Sequence, residues 1–364
     1  MAVTVLITGG CGFIGSHLAD ELLRSGSRVR VLDSLVEQVH EGARRPDYLD
    51  PDVELVVGDV RDPEGVREAI SGVDAVVHLA ARVGVGQSMY ELGEYTDANT
   101  HGTAVLLEAL LDRPVGRLVV ASSMSIYGEG LYVARDGRPV ADARRTREQL
   151  ERGEWEPDGE LEPVPTPESK PPALTSVYAL TKYDQERLCL VFGSAYDVPT
   201  VALRFFNVYG TRHALSNPYT GVLAIFASRL LNGRPPLVYE DGLQRRDFVS
   251  VYDVARACRL ALESDAAGVV NVGSGRSVTV LEIARLLGDA LDSDLEPVVT
   301  GKFRTGDIRH CFAEVAAARE LLGYTPQVEL EDGIAELVDW LADQDAEDRV
   351  EAAHGELEAR GLAR

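Results

Sequence analysis

The stretch VTVLITGGCGFIGSHLADELLRSG, residues 3 to 26, constrains this chain more than any other. A β-branched apolar run ends at Thr8, glycines stand at 9, 10, 12 and 15, and an amphipathic helical pattern follows. The run from Gly10 to Gly15 fits the dinucleotide fingerprint, and Gly9, Gly12 and Gly15 fit its three-spaced variant. In both, glycine permits a tight turn and lets backbone N–H groups approach a pyrophosphate at a helix N-terminus, here beside Phe13 and Ile14. A lone match is weak, but Asp33 closes the next apolar run, VRVLD. An acid there accepts hydrogen bonds from an adenosine ribose and repels a 2′-phosphate, which favours NAD over NADP. The bland alternative is a glycine turn that merely lets a helix pack, and it explains neither Asp33 nor the flanking strand and helix.

The same alternation continues along the chain. Short β-branched runs at 3–8, 28–32, 53–57, 75–79, 118–122 and 200–204 alternate with helical patterns. They are apolar on both sides, which predicts an α/β fold with a doubly wound parallel sheet covered on both faces. Ligands in such a sheet bind at the carboxyl ends of the strands. That would bring Asp59 and Val60 of GDVRD to the adenine edge, and Leu79, Ala80 and Ala81 of HLAA to the cofactor. Residues 1–210 are taken as the NAD-binding domain. Residues 211–341 are taken mainly as a smaller substrate-binding lobe with short elements near 237–239 and 269–272, some of its segments returning to the first domain. Residues 342–364 read as a charged, helix-prone tail on the surface or fraying. Residues 129–172 are charged and rich in Gly and Pro, and read as a long insertion loop, either part of a lid or a solvated excursion.

At 364 residues the chain exceeds one comfortable core, in keeping with a large domain and an attached lobe. A formal charge of -23 without Lys or Arg clusters speaks against nucleic-acid and anionic-membrane partners, so an anionic ligand needs locally placed arginines. Four scattered cysteines, Cys11, Cys189, Cys258 and Cys311, show no paired spacing, so neither a disulfide framework nor a metal site is expected and a reducing cytoplasm is. No leader pattern or membrane-spanning apolar run is evident. His78 and His310 stand isolated, and His78 reads as structural.

Two further stretches carry chemistry. ASSMSIYG, residues 121–128, ends the fifth run with a cluster of hydroxyls and no acid or base. TSVYALTKYDQERL sets Tyr178 and Lys182 four apart, on one face of a helix. A phenol with a pKa near about 10 is a poor base unless cations stabilise its phenolate, and Lys182 with an oxidised nicotinamide would supply that charge. A serine hydroxyl from the first cluster would hold the reacting oxygen against Tyr178.

With TGGCGFIG, HLAA, ASSMSIYG, YALTK, LRFFNVYG, RRDFVSVYDVA, NVGSG and RTGDIRH in order, nearly the whole chain resembles the extended short-chain dehydrogenase/reductases, and among them the nucleotide-sugar epimerases and dehydratases. The resemblance implies a triad of Ser123, Tyr178 and Lys182, the last two also touching the cofactor together with Asn99, which it places near the centre through a structural hydrogen bond. Dehydratases of that family carry an Asp-Glu pair where this chain has Met124 and Ser125, and its pentose-forming decarboxylases keep a glutamate at the position of Ser125. What remains needs one hydride and one proton, as in a 4-epimerase with tightly bound NAD. Matching positions imply a clamp for the substrate diphosphate from Asn207, Arg246, Arg304 and Asp307, with Val85, Gln87 and Ser88 facing the hexose and Cys311 limiting the space around it. The segments 33–40, 83–91 and the insertion look most like bacterial epimerases assigned to dTDP-L-rhamnose or related 6-deoxy sugars, with UDP-hexoses as the other option. Relatives with this insertion often carry Cys-x-x-Cys pairs there, and this chain has none. A homodimer through the helices beginning near Tyr95 and Val177 is implied as well. Two alternatives stay open: an NDP-4-keto-sugar reductase or dehydrogenase consuming NAD(P)H, and a catalytically silent dinucleotide sensor that binds partners.

Overall fold

A strand apolar on both sides is satisfied only in the middle of three layers. The β-branched runs lie there in the computed structural model, which describes residues 2–364 except 218, 220, 305 and 345–347. Seven parallel strands form the central sheet in the order Gly268–Val272, Thr200–Phe205, Arg117–Ser123, Ala75–His78, Thr4–Thr8, Arg28–Asp33, Glu54–Val57. Alternate residues feed the two faces. Ile7, Val119 and Leu203 pack with the helices Phe13–Arg24 and Val251–Glu263. Leu6, Val120 and Ala202 pack with Pro63–Ala69, Gly102–Asp112 and Val177–Ala195. Six of these strands begin and end within a residue of the runs read from the sequence. The run near 269–272, expected among the lobe's short elements, is instead the sheet's edge strand, with Val270 opposite Leu203. Chain order reverses between Thr4–Thr8 and Ala75–His78, which opens a crevice at their carboxyl ends.

After Phe205 the chain builds a second core. The strand Arg245–Ser250 pairs with Asn207–Tyr209, Ser277–Thr279 and His310–Cys311. Leu223, Phe226, Ile283, Leu287, Ile334 and Leu337, from three helices, pack with Phe248 of that strand. Asp247 of RRDF accepts backbone N–H groups from Ser274, Gly275 and Ala313, so this acid organises loops rather than a ligand.

The insertion is folded rather than a plain loop. Leu131–Val133 pairs with Pro139–Val140 and Glu162–Val164, and the short helix Arg147–Glu151 starts with a Thr146/Gln149 capping box. Ion pairs around the buried Arg145, Glu240 and Arg309 dock it to the lobe. Arg145 reaches Glu129 at 3.2 Å and Glu240 at 2.7 Å, and Arg309 reaches Glu240 at 3.0 Å and Glu156 at 2.6 Å. His310 lies 3.0 Å from Glu156, so it belongs to this cluster. Burial opposes ionisation of Glu156, yet hydrogen bonds from His310 and Arg309 win and hold its carboxyl down at about 2.

Another buried pair ties the long helix Val177–Ala195 to the sheet. Arg204 forks onto Glu186 at 2.9 and 2.7 Å, Ser122 donates to the same carboxylate at 2.7 Å, and Arg204 also donates to the Tyr127 hydroxyl at 2.8 Å. Removing one partner from such a pair strands a charge in low dielectric, at a cost of about 3–5 kcal/mol. Arg204→Met is therefore expected to lower unfolding stability by that order in urea titration, and adding Glu186→Leu to recover most of the loss; a single variant as stable as the parent would contradict this.

Candidate active site

All strands of the central sheet but the edge strand Gly268–Val272 deliver their carboxyl ends to one cavity of about 800 Å³. The glycine loop forms its floor. Gly9 has φ +71°, and a Cβ there would lie 2.9 Å from the Ala80 backbone; a Cβ on Gly15 would lie 2.4 Å from the Gly9 carbonyl oxygen. The helix Phe13–Arg24 starts without a side-chain cap on Gly12 and without an acid in its first turn. Its first N–H groups and the positive end of its dipole are thus left to an anionic ligand. Asp33 lines the same cavity, fixed by N–H groups of Cys11 and Leu35, both at 2.9 Å. This cradle fits a dinucleotide. Phe13, Ile14, Val60, Leu79, Ala80 and Ala81 also line the wall. Asp59 does too, but Arg61 forks its carboxylate at 2.9 and 2.7 Å and lowers its pKa.

The helix Val177–Ala195 is capped by Ser176 and places Tyr178 and Lys182 one turn apart on the cavity wall. Ser123, the last residue of its strand, is also on the wall. The Ser123 hydroxyl accepts from Ser125 Oγ at 2.9 Å, so its own proton is free for the phenol or a ligand. Burial raises the Tyr178 pKa and the Ser123 hydroxyl offsets only part of this. Burial pulls Lys182 down to about 8. Its Nζ donates at 2.6 Å to Gln185, whose amide donates to the Ala80 carbonyl and to Thr103. His78 completes that network, bonded to Thr8 at 2.7 Å and held neutral by burial and Lys182, its pKa near about 3. Gln185 was not singled out from the sequence, although its i+3 spacing from Lys182 puts both on one face.

Other expected contacts fall differently. Asn99 is fully buried in a π-helical turn, bonded to Arg82 and Thr181, and so braces the triad's helix rather than lining the cavity. Val85 reaches the cavity, whereas Gln87 and Ser88 do not: Gln87 bonds Glu91, and Ser88 accepts the Tyr178 N–H at 3.0 Å. Their turn is a short helix, and Val83, Val85 and Met89 take the exposed side. Cys311 is buried beside Thr166, behind Ile308, which takes the wall position. Asn207, Arg246, Arg304 and Asp307 all line the cavity. Asn207 Oδ1 is shut from solvent without a hydrogen-bond partner. Arg246 donates to the carbonyls of Arg245, Ile308 and Arg309, which occupies much of its fork. Arg304 is freer: its Nε lies 3.5 Å from Asp307 and its guanidinium stacks 4.4 Å from the Tyr239 ring. Tyr239 and five residues of the carboxyl-terminal segment also line this end, none of them assigned to it from the sequence.

A dinucleotide cradle facing a Ser-Tyr-Lys constellation defines a nicotinamide-dependent oxidoreductase-type site of the short-chain class. The profile of the NAD dependent epimerase/dehydratase family matches residues 5–273, and the chain belongs to that family. It is 38% identical to dTDP-L-rhamnose 4-epimerase of Burkholderia thailandensis, over 93% of this chain and 95% of the relative. Among solved structures, UDP-glucose 4-epimerase of Thermotoga maritima with UDP-glucose is 32% identical, with a TM-score of 0.78 over 93% of this chain and 99% of that one. The Thermus thermophilus UDP-glucose 4-epimerase complex with NAD is also 32% identical, with a TM-score of 0.76 over 94% and 100%.

Gly15→Ala would drive a methyl into the Gly9 carbonyl and deform the cradle. The expected result is a folded protein, by circular dichroism, that no longer carries the NAD released when the parent is heat-denatured; parent-like NAD content in the variant would refute the cradle.

Proposed function

We propose that this protein is an NAD-dependent nucleotide-sugar 4-epimerase acting by transient oxidation at C4. The observation that carries the reading is that the stretch bearing Ser123 brings no carboxylate to the cavity wall it shares with Tyr178. Among the described residues lining the cavity the carboxylates are Asp33, Asp59, Glu94 and Asp307, and the Ser122–Ser125 stretch contributes none. Elimination of water or decarboxylation needs a second acid or base at the sugar, whereas epimerisation needs only Tyr178 and a hydride carrier. NAD, when bound, supplies acceptance and return of the C4 hydride and ends unchanged. Tyr178 takes the 4-hydroxyl proton and later gives it back, while Ser123 holds O4 in both configurations. Lys182 supplies positive charge beside the phenol and a donor for the nicotinamide ribose, and Asp33 accepts from the adenosine ribose. Arg304, Asn207 and the remaining donor of Arg246 receive the diphosphate, a planar guanidinium fork being suited to phosphate oxygens.

For the sugar we favour a dTDP-linked 6-deoxyhexose such as dTDP-L-rhamnose. Support comes from the relative in Burkholderia thailandensis and from the apolar wall of Val83, Val85 and Met89, which suits a methyl better than a hydroxymethyl or carboxylate group. We further infer a homodimer through the helix Val177–Ala195, where Leu180 and Val191 are exposed three turns apart on one face. A cytoplasmic location fits four buried, unpaired cysteines, and among the described residues no helix is long and apolar enough to cross a membrane.

Proton NMR of the purified protein with dTDP-L-rhamnose, dTDP-glucose, UDP-glucose and UDP-glucuronate in separate tubes, no cofactor added, tests the reading. A second sugar growing to a fixed ratio is expected, first with dTDP-L-rhamnose; activity only with NAD(P)H and a keto sugar would replace it with a ketoreductase. Tyr178→Phe should lower turnover about 10²–10⁴-fold while retaining NAD. The pH profile follows from Lys182, whose ammonium form prevails below about 8 and is lost above it. Hence kcat/KM is expected to fall as pH rises through about 8, and Lys182→Arg, weaker overall, should lack that limb.

A further inference from the structure

The tail read from the sequence as a surface or frayed end does something else. Its helix, Val350–Ala359, turns Val350, Ala353, His354 and Leu357 onto the cavity, followed by Leu362. It also spans the cleft. On the large-domain side Leu357 packs against Gly86 at 3.4 Å, the distance measured to a Cβ built there, and Arg360 lies 4.4 Å from the Tyr90 ring. On the lobe side the Phe303 and Arg364 backbones exchange hydrogen bonds at 2.9 and 3.0 Å, and Asp348 pairs with Arg229 at 3.3 Å. Lys302 pairs with Glu358 at 2.8 Å, and both are exposed, so this tie is weak.

His354 is the polar residue on the inner face. Its Nδ1 is hydrogen-bonded to the Tyr239 hydroxyl at 2.7 Å, and its Nε2 lies 2.8 Å from Glu358 and 3.2 Å from Lys302. Tyr239 in turn carries the Arg304 guanidinium on its ring. An apolar helix face that lines an open cavity leaves hydrophobic surface uncovered unless something fills it. Most of these anchors are buried, Leu357 and Ala353 of the helix and the Asp348–Arg229 pair among them, so the segment is docked as a wall of the cavity that touches both sides of the cleft.

We propose that residues 348–364 are part of the substrate site: the helix closes the cavity over the nucleoside diphosphate end of the substrate, and His354 is a positioning residue that sets Tyr239 against Arg304. This rests on the nucleotide-sugar reading above, and binding measurements separate the two without turnover. Calorimetric titration of dTDP into the NAD-loaded enzyme is compared between the full chain and one ending at Gln344. The truncated chain is expected to hold its NAD but bind dTDP at least ~10-fold more weakly, equivalent to about 1.4 kcal/mol. In the full chain, dTDP should slow tryptic cleavage at Arg349 and Arg360. Where the truncated chain fails to fold, His354→Ala and Leu357→Ala decide, with weaker dTDP binding expected for both and, for the first, KM rising more than kcat falls. Equal dTDP affinity in parent and variants, with unprotected cleavage, overturns this proposal alone. No dTDP or UDP binding to the full chain overturns the nucleotide-sugar reading itself.

Discussion

The bidentate pair between Glu186 and Arg204 is the joint on which the site depends. Glu186 follows Lys182 by one helical turn, and Arg204 sits in the strand that pairs with Arg117–Ser123. The same carboxylate accepts from Ser122, the neighbour of Ser123. One buried acid therefore fixes the helix bearing Tyr178 and Lys182 against the strand bearing Ser123. Desolvating such a pair is costly, and three hydrogen bonds to one carboxylate compensate best when the geometry is kept. Arg204 extends the joint through Tyr127 to Asn271 of the edge strand. The hydroxyls of ASSMSIYG thus divide: Ser122 and Tyr127 bind the scaffold, while Ser123 and Ser125 face the cavity.

The parts legible in the sequence were those whose physics is local. A glycine loop between strand and helix needs its residues at fixed spacing, and Tyr178 and Lys182 meet because one helical turn separates them. Apolar runs of five or six residues likewise report a buried sheet. Contacts set by distant segments were not legible in the same way. The strands of the insertion are two or three residues long, too short to show alternation, and what orders them is ion pairing of Glu129, Arg145 and Glu156 with Glu240, Arg309 and His310. Gln87 and Ser88 lie in a four-residue helix whose orientation no pattern announces, and that turn sends their side chains inward to Glu91 and to the backbone of Tyr178. In the tail, Val350, Ala353 and Leu357 are helically spaced, but the abundance of charges around them masked the stripe.

A chain of net charge -23 that takes an anionic substrate must hold its own acids away from it. The clusters around Arg145 and Arg309 achieve this by pairing. Glu129, Glu156, Glu240 and Asp241 are bound to Arg145, Arg309 and His310 behind the wall, and that wall carries Ile308, Asp307 and Arg304. The carbonyls of Ile308 and Arg309 bind Arg246. The insertion consequently bears on this end of the cavity without contributing a side chain to it, by fixing residues 307–310, on which the proposed clamp is built.

The proton economy of the triad bears on why the site suits epimerisation. Burial raises the Tyr178 pKa and so favours the neutral phenol, while the Lys182 ammonium donates to Gln185. A phenol that ionised readily would be a good base for the forward half of the reaction and a poor acid for the return. One that ionises only when positive charge is close serves both directions, because it regains its proton as that charge is discharged. The two configurations at C4 place the oxygen differently, and a lone phenol cannot reach both equally. Under the proposed mechanism Ser123, which accepts a hydrogen bond from Ser125 and keeps its own proton to donate, extends the reach of Tyr178 by one hydrogen bond. Under the reading proposed here, Met124 and Ser125 set no carboxylate beside Ser123, and the short relay from Tyr178 through Ser123 carries the proton that the sugar oxygen loses and recovers.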